Sequence, residues 1–255
     1  MNKSDCIVFD KVTISYGAEE AVRNVSFSVP NGEVFAIVGE SGSGKSTLVS
    51  AAFGMLKQAS ISGQILLNGT DVSTLSDGDW RQLRGTKISM IFQNPSAYLN
   101  PNRTVENHFK DLFRAHGESY EVSRVINMLQ LVHLTDGERI LQSYPFQLSG
   151  GMQQRLAIAL SLILKPSIVF ADEPTSALDM LVQAYVLDLL KEVTQVLGAT
   201  VIIVTHNIKA AGHIANRIGV MHKGQLVEVG ATEDIMNHPK DEYTCVLLDS
   251  VMKVV

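Results

Sequence analysis

Four strand-like runs and one loop end in residues whose types and spacing can do chemistry. The loop, "GESGSGKST" at 39–47, matches G-x-x-x-x-G-K-[ST]. Gly39, Gly42 and Gly44, with Ser41 between them, let backbone N–H groups turn inward around phosphates. A helix starting at Lys45 aims its positive end at the same place. Lys45 is spaced to reach β- and γ-phosphates, Ser46 to ligate Mg²⁺, and Thr47 adds a second hydroxyl. The alternative, a flexible Gly/Ser turn, does not account for the apolar run "EVFAIVG" (33–39) in front and the helix former run behind.

A second run, "SIVFADE" (167–173), supplies two carboxylates. Asp172 at the end of a buried strand can hold Mg²⁺ directly or through water. Glu173, one residue further, can polarise a water towards a γ-phosphate as general base. Alone, such a pair reads as a solvated loop start; downstream of a phosphate loop the chemical reading prevails. His206 closes "ATVIIVTH" (199–206), where an imidazole can contact the γ-phosphate and orient the water. Gln93 closes "KISMIFQ" (87–93) with a neutral amide able to touch Mg²⁺ or that water. Tyr16, between a strand and Gly17, has two open readings: stacking on adenine or packing in the core.

"QLSGGMQQR" (147–155) poses a separate problem, because Ser149, Gly150 and Gly151 form a second anion site at a helix start. It lies about a hundred residues beyond the first loop, inside a helical stretch that carries it away from the crevice. A two-fold dimer resolves this: each subunit's "LSGGM" closes over its partner's nucleotide, and ATP joins the two.

The elements that must position these groups follow from hydrophobic patterning. "CIVFDKVTI" (6–14), "VRNVSFSVP" (22–30) and "GQILLNG" (63–69) are short, β-branched and punctuated by turn residues. The runs at 33–39, 87–93, 167–173 and 199–206 lack polar alternation, which suits strands buried on both faces of a parallel sheet. Ligands in such sheets bind beyond the carboxyl ends of the strands, so four strand ends point at one crevice. From Thr104 to about Lys165 apolar residues recur at three- and four-residue spacing, a helical insertion. The fold class that results is α/β: a P-loop NTPase core with a mainly parallel buried sheet, an N-terminal antiparallel β subdomain and an inserted α-helical subdomain. Residues 1–92 and 166–255 are assigned to the core with its β subdomain, and 93–165 to the helical subdomain.

Composition bounds the partners. The chain has 255 residues, 45% hydrophobic and 18% charged, an ordinary globular balance. A net charge of −5 argues against general nucleic-acid binding, which needs surplus Lys and Arg. The longest apolar stretch, "LAIALSLILKPSIVFA" (156–171), is interrupted by Lys165-Pro166 and is too short to span a bilayer. Cys6 and Cys245 are far apart without C-x-x-C spacing, which fits a reducing, intracellular compartment.

Taken in order, these stretches resemble the nucleotide-binding subunit of an ABC transporter along essentially the whole chain. The resemblance assigns Tyr16 to an A-loop, 39–47 to Walker A, Gln93 to a Q-loop, 148–152 to the signature, 168–173 to Walker B, "SALD" (176–179) to a D-loop and His206 to an H-loop. It implies that Asp179 couples the two sites of the dimer and that the region around Gln93 meets a helix of a membrane subunit. It also implies ATP and Mg²⁺ as cofactors, a second ATPase subunit (a copy or a paralogue), two transmembrane permease subunits, indirectly a solute-binding protein, no nucleic acid, and a place on the cytoplasmic face of the membrane. "FQNPSAYLNPNRTV", "YPFQLSGGMQQR", "ADEPTSALD" and "HPKDEYTCVLLDSV" are similar to bacterial dipeptide, oligopeptide and nickel importer ATPases. Lys240-Asp241-Glu242 departs from that group's "HPYT", and the short tail is more similar to the nickel or metal-chelate branch. The rival reading, a soluble ABC ATPase acting on DNA or the ribosome, calls for a long inserted coiled coil or two cassettes per chain.

Overall fold

The computed structural model describes residues 5–95, 98–175 and 180–252. Alternating apolar residues build the first sheet. β1 (Asp5–Tyr16) pairs antiparallel with β2 (Glu19–Pro30) on one side and with β4 (Ser60–Leu67) on the other. A two-residue β5 (Thr70–Asp71) completes the order β2-β1-β4-β5. Its inward residues, among them Ile7, Phe9, Val25, Phe27 and Ile65, are buried.

The unbroken apolar runs become the second sheet. It holds β3 (Val34–Val38), β6 (Ile88–Ile91), β7 (Ile168–Asp172), β8 (Thr200–Thr205), β9 (Arg217–His222) and β10 (Gln225–Ala231). Their order is β10-β9-β3-β8-β7-β6, and every neighbouring pair is parallel except β9 and β10. This is the α/β P-loop architecture that the buried runs imply. The edge hairpin was not among the strands read from the sequence. Lys223 and Gly224, both left-handed with φ of 46° and 82°, join its strands, and an X-Gly pair between two apolar runs is the signal that marks such a turn.

Side-chain alternation along β3 sorts the core into two layers. Val34, Ala36 and Val38 face one cluster, with α3 (Val105–Ala115), α4 (Val122–Leu131), α6 (Gly150–Leu162), α7 (Met180–Leu197) and α8 (Ile208–Ile214) contributing to it. Phe35 and Ile37 face the other, between the two sheets and α1 (Lys45–Ala52). Phe9, Phe27 and Phe35 stack in series there, with ring centroids 4.6 and 4.9 Å apart. Further helices are α2 (Asp77–Leu83), α5 (Gly137–Gln142), α9 (Thr232–Asn237) and α10 (Glu242–Met252). Leu247 and Leu248 sew α10 onto the first cluster, each burial stabilising by about 1.5–3 kcal/mol. Among the described residues no helix is long and apolar enough to cross a membrane.

Candidate active site

The phosphate loop runs from the end of β3 into α1, and its glycines are required by close approach. A Cβ at Gly39 would lie 2.1 Å from the Met221 carbonyl oxygen of β9. Gly44 caps α1 with φ of 97°, and a Cβ there would lie 2.6 Å from the Ala21 carbonyl. The buried Lys45 ammonium donates to the carbonyls of Gly39 (2.8 Å) and Glu40 (2.7 Å) and to Ser43 Oγ (3.3 Å). Burial lowers its pKa, and the charges of Glu173, Asp172 and Glu40 oppose that shift.

β7 delivers the carboxylates. Asp172 Oδ1 accepts a 2.8 Å hydrogen bond from Ser46 Oγ at the start of α1. Burial raises the Asp172 pKa; the Ser46 bond opposes it, Glu173 adds to it and Lys45 opposes it. Glu173 is held in a left-handed backbone conformation, φ 46°, with its N–H donating to the Val204 carbonyl of β8 at 2.8 Å. Such a conformation in a residue with a side chain costs energy and marks functional corners. The Glu173 carboxylate meets His206 Nδ1 at 2.9 and 2.7 Å, where β8 ends. Asn207 follows as the side-chain cap of α8, fixing the turn out of the strand.

These groups line one cavity of about 430 Å³: Ser41, Gly42, Gly44, Lys45, Ser46, Thr47, Gln93, Glu173, His206 and also Ala21. Carboxyl ends of β3, β6, β7 and β8 therefore meet at one crevice. Gly39 backs the loop, and Asp172 reaches the crevice through Ser46. Tyr16 ends β1 with 41% of its surface exposed, which removes the core reading, and it does not line the cavity. Ser149, Gly150 and Gly151 sit apart from the cavity at the start of α6. There Ser149 Oγ caps its own helix, accepting from the Met152 N–H at 3.4 Å. Asp179 lies outside the described residues. Sequence reasoning missed Ala21, the His206–Glu173 contact, and a backing layer of Met221, Gly224 and Tyr243 behind the loop.

A parallel sheet whose strand ends carry a glycine loop, a helix N-terminus, a paired carboxylate and an opposed histidine defines a P-loop nucleoside triphosphatase. The family model "ABC transporter" matches residues 22–176. The chain is 43% identical over 244 residues to the dipeptide transport ATP-binding protein DppD of Bacillus subtilis (strain 168), covering 93% of this chain and 73% of that protein. It is 40% identical to the oligopeptide transport ATP-binding protein OppD of Lactococcus lactis subsp. cremoris (strain SK11), covering 91% and 70%. Among solved structures, the dimeric post-hydrolysis state of the ATP-binding cassette MJ0796 bound to ADP and Pi superposes with a TM-score of 0.76 at 31% identity, over 89% of this chain and 98% of that one. The chain belongs to the ABC transporter family, as an ATP-binding subunit with ATPase activity. The soluble DNA- or ribosome-acting alternative is not favoured.

Proposed function

We propose that this subunit hydrolyses ATP at the crevice to drive import of di- or oligopeptides through a pair of transmembrane permease subunits, supplied by a solute-binding protein, from the cytoplasmic face of the membrane. The convergence of Gln93, Glu173 and His206 on the cavity of the phosphate loop carries the enzymatic part. The names of the relatives carry the solute: both are peptide transport proteins. Tail length, which favoured a nickel or metal chelate, carries no weight beside them.

In this reading Gly42, Gly44, Ser41 and Thr47 hold phosphate oxygens with the α1 N-terminus, and Gly39 keeps the loop against β9. Lys45 keeps one N–H on the Gly39 carbonyl and turns the two now on Glu40 and Ser43 to the β- and γ-phosphates. Ser46 Oγ and Asp172 Oδ1, 2.8 Å apart beside an exposed Gln93 amide, are an all-oxygen set that suits a hard divalent cation. A Mg²⁺ held by these oxygens would neutralise phosphate charge. Glu173 accepts a proton from the attacking water, and His206, already on its carboxylate, orients the base and faces the γ-phosphate. Tyr16 offers its exposed ring to adenine. Residues 93–165 act as the helical subdomain and 1–92 with 166–255 as the core, and Asp179 couples the two sites of the dimer.

The partner subunit completes each site. Ser149 and Gly150 are exposed, and a Cβ at Gly150 would meet nothing within 4 Å among the described residues. An open glycine at a helix N-terminus suits the partner's γ-phosphate, and the MJ0796 cassette is a dimer in the presence of ADP and Pi. The test is Glu173→Gln, which removes the base and keeps the shape. ATP should still bind, turnover should fall by roughly 10²–10⁴, and an ATP-dependent dimer should accumulate in size-exclusion chromatography. Unchanged turnover would remove Glu173 from the chemistry, and a strictly monomeric mutant with Mg-ATP would remove the sandwich.

A further inference from the structure

The part of the sequence that departs from the importer group's "HPYT", Lys240-Asp241-Glu242, proves to be a strap. Glu228 on β10 accepts the Lys240 N–H at 2.9 Å on one carboxylate oxygen and the Asp241 N–H at 3.1 Å on the other. Asp241 in turn caps α10, its Oδ1 accepting from the Tyr243 N–H at 2.9 Å. The strap delivers Tyr243, in the first turn of α10, to the outer wall of the phosphate loop. There its ring lies on His222, the last residue of β9, with centroids 3.8 Å apart. Its hydroxyl oxygen accepts the Glu40 N–H at 3.1 Å.

That bond acts on the lysine seat through one peptide plane. A trans peptide points its C=O and its N–H in opposite directions. The Gly39–Glu40 peptide is held at both ends: its N–H by Tyr243 outside and its C=O by the Lys45 ammonium inside, at 2.8 Å. Fixing the N–H outward therefore fixes the carbonyl on which the lysine rests. The same loop is braced one turn later, where the Gly224 N–H of the β9–β10 turn donates to the Ser43 carbonyl at 3.1 Å. Burial raises the Tyr243 pKa; the Glu40 N–H bond opposes this and the Glu40 charge adds to it. The hydroxyl thus stays neutral through the physiological range.

We propose that Tyr243 is a positioning residue for the phosphate loop, its hydroxyl pinning the Gly39–Glu40 peptide so that docking of the C-terminal helix α10 and binding of ATP reinforce one another. This rests on the phosphate loop being the ATP site. Tyr243 touches no nucleotide in this scheme; it acts on Lys45 through the loop. Coupling between the two sites is reciprocal, so ATP must also steady α10.

The experiment compares the full chain with Tyr243→Phe, which keeps the ring on His222 and deletes the oxygen, and with Glu228→Gln, which loosens the strap. Loss of one intramolecular hydrogen bond predicts ATP affinity weakened about 2–10-fold in Tyr243→Phe. KM for ATP should rise by the same factor, while kcat stays within about twofold because the catalytic carboxylate is untouched. Hydrogen exchange adds an ATP-free readout: the Glu40 amide should be protected in the native chain and exchange faster in Tyr243→Phe. ATP should slow exchange in the first turn of α10 in the native chain and less so in either variant. A lower melting temperature with unchanged ATP affinity and unchanged Glu40 exchange would make Tyr243 a purely structural residue and overturn the proposal. If Tyr243→Phe does not fold, an unshifted ATP affinity in Glu228→Gln overturns it instead. Failure of the native chain to bind ATP would refute the ATP-site reading, and Glu40 exchange would still report on the bond.

Discussion

The phosphate loop and the start of α6 are both glycine-bearing helix N-termini, yet they are built in opposite ways. In the first, every feature is satisfied from within the chain. Lys45 is buried with three acceptors, Gly39 is pressed on Met221, Gly44 on Ala21, and Gly224 and Tyr243 brace the outside. In the second, Ser149 and Gly150 face solvent, and the side-chain cap among the described residues is the 3.4 Å contact of Ser149 with the Met152 N–H. The first has its own cavity; the second lines none of it. A site that binds its own ligand is pre-organised by its own chain, because ordering the loop beforehand lowers the cost of binding. A surface that serves another subunit's ligand must stay open until that subunit arrives.

The largest effect belongs to the self-contained loop. Lys45→Ala removes the cation from the seat formed by Gly39, Glu40 and Ser43, leaving no ammonium for the β- and γ-phosphates. Calorimetry should detect no ATP binding at concentrations that saturate the native chain. Near-native affinity in this variant would mean that the closed loop is not the ligand site, and the contrast between the two helix starts would lose its functional meaning.

The next effect tests the open site by separating binding from hydrolysis. Ser149→Arg should leave ATP binding by the isolated subunit intact, since Ser149 does not line the cavity. A bulky cation at the helix start should nevertheless block dimer closure and stop hydrolysis. Mixing Ser149→Arg with Lys45→Ala should restore part of the activity. In a mixed dimer one composite site carries both lesions and the other carries neither. No recovery at any mixing ratio, with ATP binding lost in Ser149→Arg alone, would place both glycine loops in the service of their own chain.

How far these features were legible in sequence follows from the range of the interactions that make them. The phosphate loop, Asp172-Glu173, Gln93 and His206 are local punctuation at the ends of apolar runs, and their convergence follows from parallel strands sharing one carboxyl edge. The helical insertion was legible for the same reason: Phe109, Phe113, Val125 and Leu129 repeat at helical spacing and are all buried. β10 escaped because its burial is partial along its length, leaving a weak period of two. The backing of the loop escaped for a different reason. Tyr243 and Glu40 are 203 residues apart, and nothing in the residues around either one specifies the other. Contacts between a surface helix and a loop backbone leave no pattern, because an N–H is present at every non-proline position.

The smallest effect is the most discriminating. Gly150 opens α6, has no positive φ, and faces open space among the described residues, so its own chain gives no steric reason for glycine there. Gly150→Ala should therefore be neutral or slightly stabilising to the free subunit, by at most about 0.4–1 kcal/mol, because alanine restricts the unfolded chain without strain in the folded one. ATP affinity of the isolated subunit should not change. The added methyl matters only when a second subunit brings its γ-phosphate up to this helix start, where it displaces the helix N–H groups by a fraction of an ångström to an ångström. Misplacement of that size costs up to about 10²-fold in a positioned reaction, so turnover in the assembled transporter should fall roughly 10–100-fold while the melting temperature holds or rises. A variant that loses stability and turnover together would place the reason for the glycine inside its own chain. One that loses neither would leave the helix start without a ligand. Only loss of turnover at full stability assigns Gly150 to the nucleotide of the partner.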